Sequence, residues 1–165
     1  MPRPTPQVPE PGQESVWDYP RPPRLEPVRE RVTVEFAGAL VAESQSAFRV
    51  LETSHPPVYY LPPTDIRTGF MLAASGHSYC EFKGMACYWT LEANGLRSER
   101  AAWSYPNPTR RFQQIADFFA FYPSRVDRCR VGEHVVRAQP GDFYGGWITD
   151  RIVGPFKGSP GTLGW

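Results

Sequence analysis

Apolar and polar residues alternate along the chain from residue 31 onward. Val32, Val34 and Phe36 are separated by Thr33 and Glu35, which is the period-two pattern of a strand with one buried face. Further apolar runs continue the pattern and predict four strands. The first is 32–36, the second resumes at 40–41 after a turn, the third is 47–52 and the fourth is 58–61. Prolines on both sides of the last run confine it to a short strand or a sheet edge.

Two turn sequences predict hairpins. Asn94-Gly95 is typical of a two-residue type I′ loop. This loop predicts three cross-strand pairs, which are Ala93 with Leu96, Glu92 with Arg97, and Trp89 with Arg100. Glu92 and Arg97 would then place opposite charges directly across the two strands, and Trp89 and Arg100 would place an indole opposite a cation. Gly132-Glu133 predicts a second hairpin between 126–131 and 134–136.

One segment has the pattern of a helix. Asn107 is a capping residue, Pro108 suits the first helical position, and Pro123 ends the run. The apolar stripe between them consists of Phe112, Ile115, Ala116 and Phe119. The pattern therefore predicts one α-helix at about 108–120.

The two ends of the chain differ from its middle. Nine of the 19 prolines lie in residues 1–27, and the first residues lack a periodic apolar pattern. We expect residues 1–14 to form a proline-rich flexible tail and residues 15–165 to form a single domain. The last 26 residues contain seven glycines and several aromatic residues, which predicts a long ordered coil held by its rings.

Charge and composition exclude several classes of protein. The formal net charge is +1 with both signs interspersed, so we expect no binding to duplex nucleic acid. No stretch is apolar enough to span a bilayer, and the N-terminal residues lack the apolar core of a signal peptide. With three cysteines expected to be reduced, the sequence predicts a soluble cytoplasmic protein without membrane contact.

The distribution of lysine is unusual. Of the 18 basic residues only Lys83 and Lys157 are lysines, and both lie in a Phe-Lys-Gly tripeptide. A genome rich in arginine codons explains the scarcity. Alternatively, lysine is kept where a compact ammonium is needed.

The stretch Ser78–Trp89, SYCEFKGMACYW, carries candidate chemistry. If Lys83-Gly84 is a two-residue loop, Cys80 faces Cys87 at a distance that a disulfide can span. A three-residue loop over 82–84 pairs Tyr79 with Cys87 instead. The turn type decides between these two arrangements.

The same stretch raises the questions of metal binding and thiol chemistry. His77, Cys80 and Cys87 are the nearby metal-ligand types, but they lack the second close pair of a zinc site, so we expect no metal and no cofactor. Cys80 could act as a nucleophile, because an ammonium such as that of Lys83 favours the thiolate. The alternative is that Cys80 is a small buried apolar residue.

Five segments in order carry a resemblance to a known family. They are VTVEFAGALVAES, LETSHPPVYYLPPTDI, SYCEFKGMACYW, AAWSYPNP and AFYPSRVD. With them the chain resembles the family catalogued as domain of unknown function 427, also indexed under a nucleotidyltransferase-like label. The flanking sequences resemble those of a longer subgroup in which both termini extend the domain.

The resemblance implies a mainly β fold of the β-tent kind, a small, partly open barrel of antiparallel strands with one helix and a long C-terminal coil. Such a fold is similar in topology to methionine sulfoxide reductase B and the translationally controlled tumour protein. The positions that match the family in the central segment are Cys80, Lys83, Gly84, Ala86 and Tyr88. The family usually has proline at position 81 and no cysteine at position 87.

The first functional hypothesis is a binding protein for an anionic small molecule. Its cleft is predicted to be lined by Tyr60, Cys80, Lys83, Trp103 and Tyr105, with Lys83 or Arg67 meeting the anion. The alternatives are an enzyme that uses Cys80 and Lys83, nucleotidyl transfer, and an interaction module that docks partners on its C-terminal segment. Nucleotidyl transfer requires grouped carboxylates for a metal, whereas those of this chain are scattered. A homo-oligomer is left open.

Overall fold

Strands make up most of the regular structure. The structure is a computed structural model and describes residues 3–165. The strands are β1 (Glu14–Ser15), β2 (Arg24–Val28), β3 (Val32–Phe36), β4 (Ala39–Ser44), β5 (Ala47–Leu51), β6 (Val58–Tyr60), β7 (Met71–Cys80), β8 (Gly84–Ala93), β9 (Leu96–Ser104), β10 (Phe119–Phe121), β11 (Arg128–Val131), β12 (His134–Val135), β13 (Arg137–Ala138), β14 (Trp147–Ile148) and β15 (Ile152–Val153). The 3-10 helices are Val16–Asp18, Pro63–Asp65, Thr68–Phe70, Arg110–Ile115 and Pro123–Arg125.

Three larger antiparallel sheets carry the fold. One has the strand order β10-β9-β8-β7, the second β12-β11-β3-β4, and the third β2-β5-β6. Two small sheets pair β1 with β15 and β13 with β14. These sheets do not close into a barrel, which confirms the prediction of a mainly β, partly open fold. No helix in residues 3–165 is long and apolar enough to cross a membrane.

The predicted strands from residue 32 to residue 61 are confirmed, and the 58–60 strand is an edge strand of its sheet. Alternating burial explains why the pattern was informative: Val32, Val34 and Phe36 are buried, whereas Thr33 and Glu35 are less so. These buried faces join a large core that also includes Leu91, Phe121 and Trp147.

The hairpin at Asn94-Gly95 is confirmed for its first two pairs, and the one at 132–133 is confirmed as well. The third pair was predicted wrongly, because a bulge shifts the register and places Ala102 opposite Trp89. Arg100 adopts a φ of 50° within this irregularity. Its guanidinium lies 5.1 Å from the centroid of the Tyr88 ring.

The predicted α-helix at 108–120 is not formed as such. The helical part is a 3-10 helix, Arg110–Ile115, and Phe112 inside it has non-helical φ and ψ of −112° and 17°. Asp117 then takes a φ of 65°, and 119–121 pairs with β9 as strand β10. Phe112 and Ile115 are buried as predicted, but their spacing of three also fits a 3-10 turn.

The C-terminal segment contains short strands as well as coil. Trp147 on β14 is buried and its ring stacks on Tyr59 with a centroid distance of 4.8 Å. Its Nε1–H donates to the carbonyl of Phe121 at 3.0 Å. The rings therefore hold this segment to the main core.

Part of the predicted tail contacts this C-terminal segment. Gln7 N–H donates to the Gly154 carbonyl at 2.9 Å, and Gln13 Nε2 donates to the Asp150 carbonyl at 2.8 Å. Strand β1 begins at Glu14 and runs parallel to β15. The expected boundary at residue 14 thus falls within a contact between the two ends of the chain.

Candidate functional site

A cavity of about 280 Å³ lies where two sheets and the C-terminal segment meet. The sheet of β7–β10 and the sheet of β2, β5 and β6 provide two walls, and the segment after residue 139 provides the third. The buried residues beneath it form a separate apolar cluster that includes Val50, Ala86 and Phe112. The cavity therefore has a largely aromatic lining.

Five of the six predicted ligand-binding residues line this cavity, namely Tyr60, Cys80, Lys83, Trp103 and Tyr105. Arg67 is not among the lining residues. It precedes the 3-10 helix Thr68–Phe70, and its N–H donates to the Val41 carbonyl at 2.9 Å. The structure therefore does not bring Arg67 to the cavity that Lys83 lines.

The β7–β8 hairpin presents Lys83. Cys80 pairs with Gly84, so the loop is the three residues 81–83, and neither predicted loop is correct. Gly84 ends the loop with a φ of 106°, in the region of backbone conformation that favours glycine. His77, not Cys80, lies opposite Cys87, and the two cysteines do not face each other.

Hydrogen bonds from outside the hairpin fix its tip. The Thr109 N–H donates to the Lys83 carbonyl at 3.0 Å, and Thr109 Oγ1 donates to the Phe82 carbonyl at 2.6 Å. The Lys83 ammonium lies 5.8 Å from the Phe112 ring centroid and 6.0 Å from that of Tyr105. Both rings stabilise the ammonium through their faces.

Lys157 lines the same cavity and was not among the predicted site residues. Its N–H donates to the Ser54 carbonyl at 2.9 Å, and its carbonyl accepts from Gln139 Nε2 at 2.8 Å. Its ammonium lies 5.4 Å from the Tyr144 ring centroid and 3.5 Å from the backbone oxygen of Trp165. The shared Phe-Lys-Gly tripeptide was the one feature of the sequence that linked it to Lys83.

Neither lysine forms a direct ion pair with an Asp or Glu side chain in the described residues. In the part of the chain that the structure describes, no Asp or Glu carboxylate lies within 4.0 Å of either ammonium. Of the two carboxylates that line the cavity, Glu52 is 3.2 Å from Arg21, and Glu81 is exposed to solvent. Burial acts to lower the pKa of Lys83, but the surrounding acidic groups, Tyr60 first among them, leave it raised, so the ammonium stays protonated.

His55 on the cavity wall is held in one tautomer. Its Nδ1 lies 3.3 Å from Nε2 of Gln139, which also donates to the Lys157 carbonyl. The amide of Gln139 is oriented by the Gly146 N–H, which donates to its Oε1 at 3.0 Å. Because an amide nitrogen only donates, Nδ1 accepts and the neutral ring carries its proton on Nε2.

His55 is neutral at physiological pH. Burial, followed by the positive charges of Lys157, Arg21 and Lys83, lowers its pKa to about 3. The 3.7 Å approach of its Nε2 to Glu52 is therefore a neutral N–H beside a carboxylate and not an ion pair. The imidazole adds a hydrogen-bond donor to the cavity without adding charge.

The tyrosines on the lining are also neutral donors. Tyr60 accepts a hydrogen bond from Trp103 Nε1 at 3.3 Å and keeps its own O–H for another partner. Burial raises the pKa of Tyr60 and of Tyr105 above the usual range, so both phenols stay protonated. Phenol and indole groups here combine apolar faces with polar tips.

The C-terminal wall is packed closely against the rest. The Tyr144 ring meets His55 edge-on at 4.6 Å, and Tyr122 Oη donates to the Phe143 carbonyl at 3.2 Å. A Cβ at Gly145 would lie 2.4 Å from the ring of Trp103. The wall therefore approaches the cavity as closely as a residue without a side chain allows.

Cys80 is a free, half-buried thiol on the lining. The Lys83 side chain lies close enough to Cys80 for the thiol to raise the pKa of Lys83. In residues 3–165 no three His, Cys, Asp or Glu side chains are grouped so that they could hold a metal ion.

A comparison with family models matches residues 24–132, about two thirds of the chain, to the model NTP_transf_9, described as Domain of unknown function (DUF427). The chain belongs to this family. The description of DUF427 names no reaction, and a comparison with curated proteins finds no match. Cys80 and Lys83 lie within the DUF427 segment, whereas Lys157 lies beyond it.

Proposed function

We propose that this protein binds an anionic small molecule in the cavity, with Lys83 as the group that meets the negative charge. The observation that carries the proposal is a protonated lysine that lines an aromatic cavity and has no carboxylate within 4.0 Å in the described residues. A cationic group without a counter-charge is costly to keep in such surroundings. An anionic ligand removes that cost by supplying charge-assisted hydrogen bonds.

The rest of the lining favours a ligand with an apolar body. Trp103, Tyr105 and Phe82 line the cavity, and its volume of about 280 Å³ is near the lower limit for small-molecule sites. Tyr60 and His55 add neutral donors that orient a bound acid. A flat carboxylic acid fits this combination of shape and charge.

The proposal is tested with benzoate and its neutral counterpart benzamide. Nuclear magnetic resonance titration of the ¹⁵N-labelled full chain gives a dissociation constant for each compound. We expect benzoate to bind at least about tenfold more tightly than benzamide, because a charged hydrogen bond at Lys83 is lost in the amide. The largest shift changes are expected at amides around 80–84 and 103–105.

Lys83→Met removes the charge and keeps much of the apolar stem, and we expect it to abolish the preference for benzoate. Arg67→Met is the matched control, since this cation does not line the cavity, and it is expected to keep the preference. Equal affinities of wild type for benzoate and benzamide would overturn the proposal. A benzoate preference that survives in Lys83→Met would overturn it as well.

A second candidate function is thiol chemistry at Cys80. The observation in its favour is the closeness of the Lys83 side chain to a thiol that lines the cavity. In such a reaction the Cys80 sulfur forms a bond to an electrophilic carbon, the leaving group on that carbon departs with the electron pair of its bond, and the thiol proton passes to water. A neighbouring ammonium in general promotes the loss of a thiol proton. We place this activity in a reducing, cytoplasmic setting, which suits three free cysteines.

Alkylation by iodoacetamide distinguishes this candidate from simple binding. Cys87 is also free and half-buried, so it is an internal reference in the same molecule. A reactive Cys80 is expected to alkylate about tenfold faster than Cys87 and to slow in Lys83→Met, as followed by peptide mass spectrometry. An equal rate at the two cysteines would rule out the thiol candidate.

A further inference from the structure

We propose that the ligand is a dianion, with one acidic group held by Lys83, the other by Lys157, and an apolar body between them. The inference rests on the proposed function and specifies its ligand. It begins from the fact that the two lysines of the chain, far apart in sequence, line one cavity.

The backbones of the two lysines are held by independent hydrogen bonds. Lys83 is fixed by the hydrogen bonds of Thr109 to the β7–β8 loop. Lys157 is fixed through its backbone by Ser54 and Gln139. Because separate contacts hold each backbone, neither lysine depends on the other for its backbone position, and part of the ordering cost of binding is met in the folded chain.

No Asp or Glu side chain in the described residues lies within 4.0 Å of either lysine ammonium. Glu52 is paired with Arg21, and Glu81 is exposed at the hairpin tip. The 3.5 Å contact of Lys157 with the backbone oxygen of Trp165 is too long for a strong hydrogen bond. A ligand with one negative charge would balance only one of the two ammonium groups.

Three of the other polar side chains on the lining carry no negative charge. Tyr60 and Tyr105 are neutral phenols, because burial raises their pKa. His55 is a neutral N–H donor. Aromatic faces next to Lys83 and Lys157 stabilise the ammonium groups but do not neutralise them.

The apolar body of the ligand is inferred from the walls of the cavity. Rings from both sheets and from the C-terminal segment line the space, including Trp103, Tyr105 and Tyr144. A planar ring carrying two acidic groups satisfies this lining and both charges. We therefore infer an aromatic or similarly flat dicarboxylic acid as the ligand class.

The experiment compares benzoate with phthalate, isophthalate and terephthalate, which add a second carboxylate to the same ring at three different separations. Dissociation constants are measured for the full chain by the same titration. We expect at least one isomer to bind about tenfold more tightly than benzoate, since it engages a second ammonium.

Both lysines are then tested for their part in this advantage. In Lys83→Met and in Lys157→Met, we expect the ratio between benzoate and the best dicarboxylate to fall to about one. Lys157→Arg keeps a positive charge at the second position and is expected to retain the advantage. Arg67→Met retains it too, which controls for a general attraction of more negatively charged compounds to the protein.

The outcomes separate this inference from the function on which it rests. If no dicarboxylate exceeds benzoate while benzoate still exceeds benzamide, the dianion is wrong and anion binding stands. If benzoate does not exceed benzamide, the proposed function itself fails. An advantage that persists in either methionine variant, with dispersed spectra showing a folded protein, overturns the inference.

Discussion

At the scale of single residues, the basic side chains of His55 and Lys157 line the same cavity but have different surroundings. His55 has a nearly buried side chain, receives a hydrogen bond from Gln139 and is neutral, whereas the Lys157 side-chain nitrogen lies 5.4 Å from the centroid of the Tyr144 ring. Gln139 contacts both residues, so it sets the tautomer of one and the backbone position of the other. The charge pattern of this wall is therefore a product of packing.

The neutral state of His55 predicts a pH dependence of stability. Its pKa is about 3 in the folded protein against 6.5 for the ordinary side chain, so between these values the unfolded chain binds a proton that the folded chain does not. Stability from this residue is fully present above pH 6.5 and falls by up to about 1.4 kcal/mol for each pH unit below it. Urea unfolding from pH 7 to 5.5 measures the slope.

His55→Gln is expected to flatten this slope, because the titrating ring is gone. The same substitution at the exposed His77 is the control for changes at a surface position. A slope in His55→Gln equal to that of wild type would show that other groups cause the pH dependence.

Gly145 gives a prediction about packing. Gly145→Ala places a methyl group against the Trp103 ring and adds strain at a φ of 73°. Gly95→Ala is the matched control, since Gly95 has a similar φ of 79° and nothing lies within 4 Å of an added Cβ. We expect about 1 kcal/mol of destabilisation at Gly95 from strain alone and about 1 to 3 kcal/mol more at Gly145. Urea unfolding tests this, and equal losses would contradict the packing of the C-terminal wall.

At the scale of elements, the β7–β8 hairpin determines where Lys83 points. The three-residue loop ends at Gly84, and Thr109 from the segment before the 3-10 helix holds the tip. This arrangement turns a short loop into a fixed wall of the cavity. The position of Lys83 thus depends on a contact with a distant part of the chain.

Thr109→Val removes the hydroxyl that donates to the Phe82 carbonyl and leaves the backbone bond to Lys83. Because Thr109 is exposed, we expect a loss of stability of no more than about 1 kcal/mol. Hydrogen exchange at amides 82–84 should become several-fold faster as the tip loosens. Thr109→Ser keeps a hydroxyl and should preserve the wild-type exchange rates.

The sequence was most informative where pairing is local. Asn94-Gly95 predicted the register next to the turn, because a two-residue loop fixes its neighbours. The bulge further along, where Arg100 departs from the ladder, depends on tertiary packing that this pattern does not encode. The helix prediction failed for a similar reason: the segment at 119–121 gains more by pairing with β9 than by extending a short helix.

At the scale of the whole molecule, the cavity joins parts of the chain that lie on either side of the family boundary at residue 132. All of the predicted site residues that line the cavity belong to the family-matched segment, where the sequence showed their aromatic and thiol side chains as candidates. Lys157 was missed, because nothing in its local sequence shows that the C-terminal segment folds back to the hairpin.

Substitution of Gln139 tests how much its hydrogen bonds stabilise the packing of the C-terminal segment against the family-matched part of the chain. Its buried amide contacts His55, the Lys157 carbonyl and the Gly146 N–H. Gln139→Leu leaves these groups without partners, and we expect a loss of about 2 to 4 kcal/mol in the free energy of unfolding.

Gln114→Leu makes the same change at an exposed position and is expected to stay within about 0.5 kcal/mol of wild type. Urea unfolding of both variants provides the comparison. A similar small effect at Gln139 would mean that the C-terminal wall is held by other contacts.

The position of Trp103 has an optical consequence. It is one of five tryptophans, it lines the cavity, and its indole N–H already contacts the Tyr60 hydroxyl. A compound that enters the cavity will displace solvent from this indole and change its emission, while Trp147 in the core stays shielded. The protein therefore carries a built-in fluorophore with which large collections of colourless acids can be screened without a label.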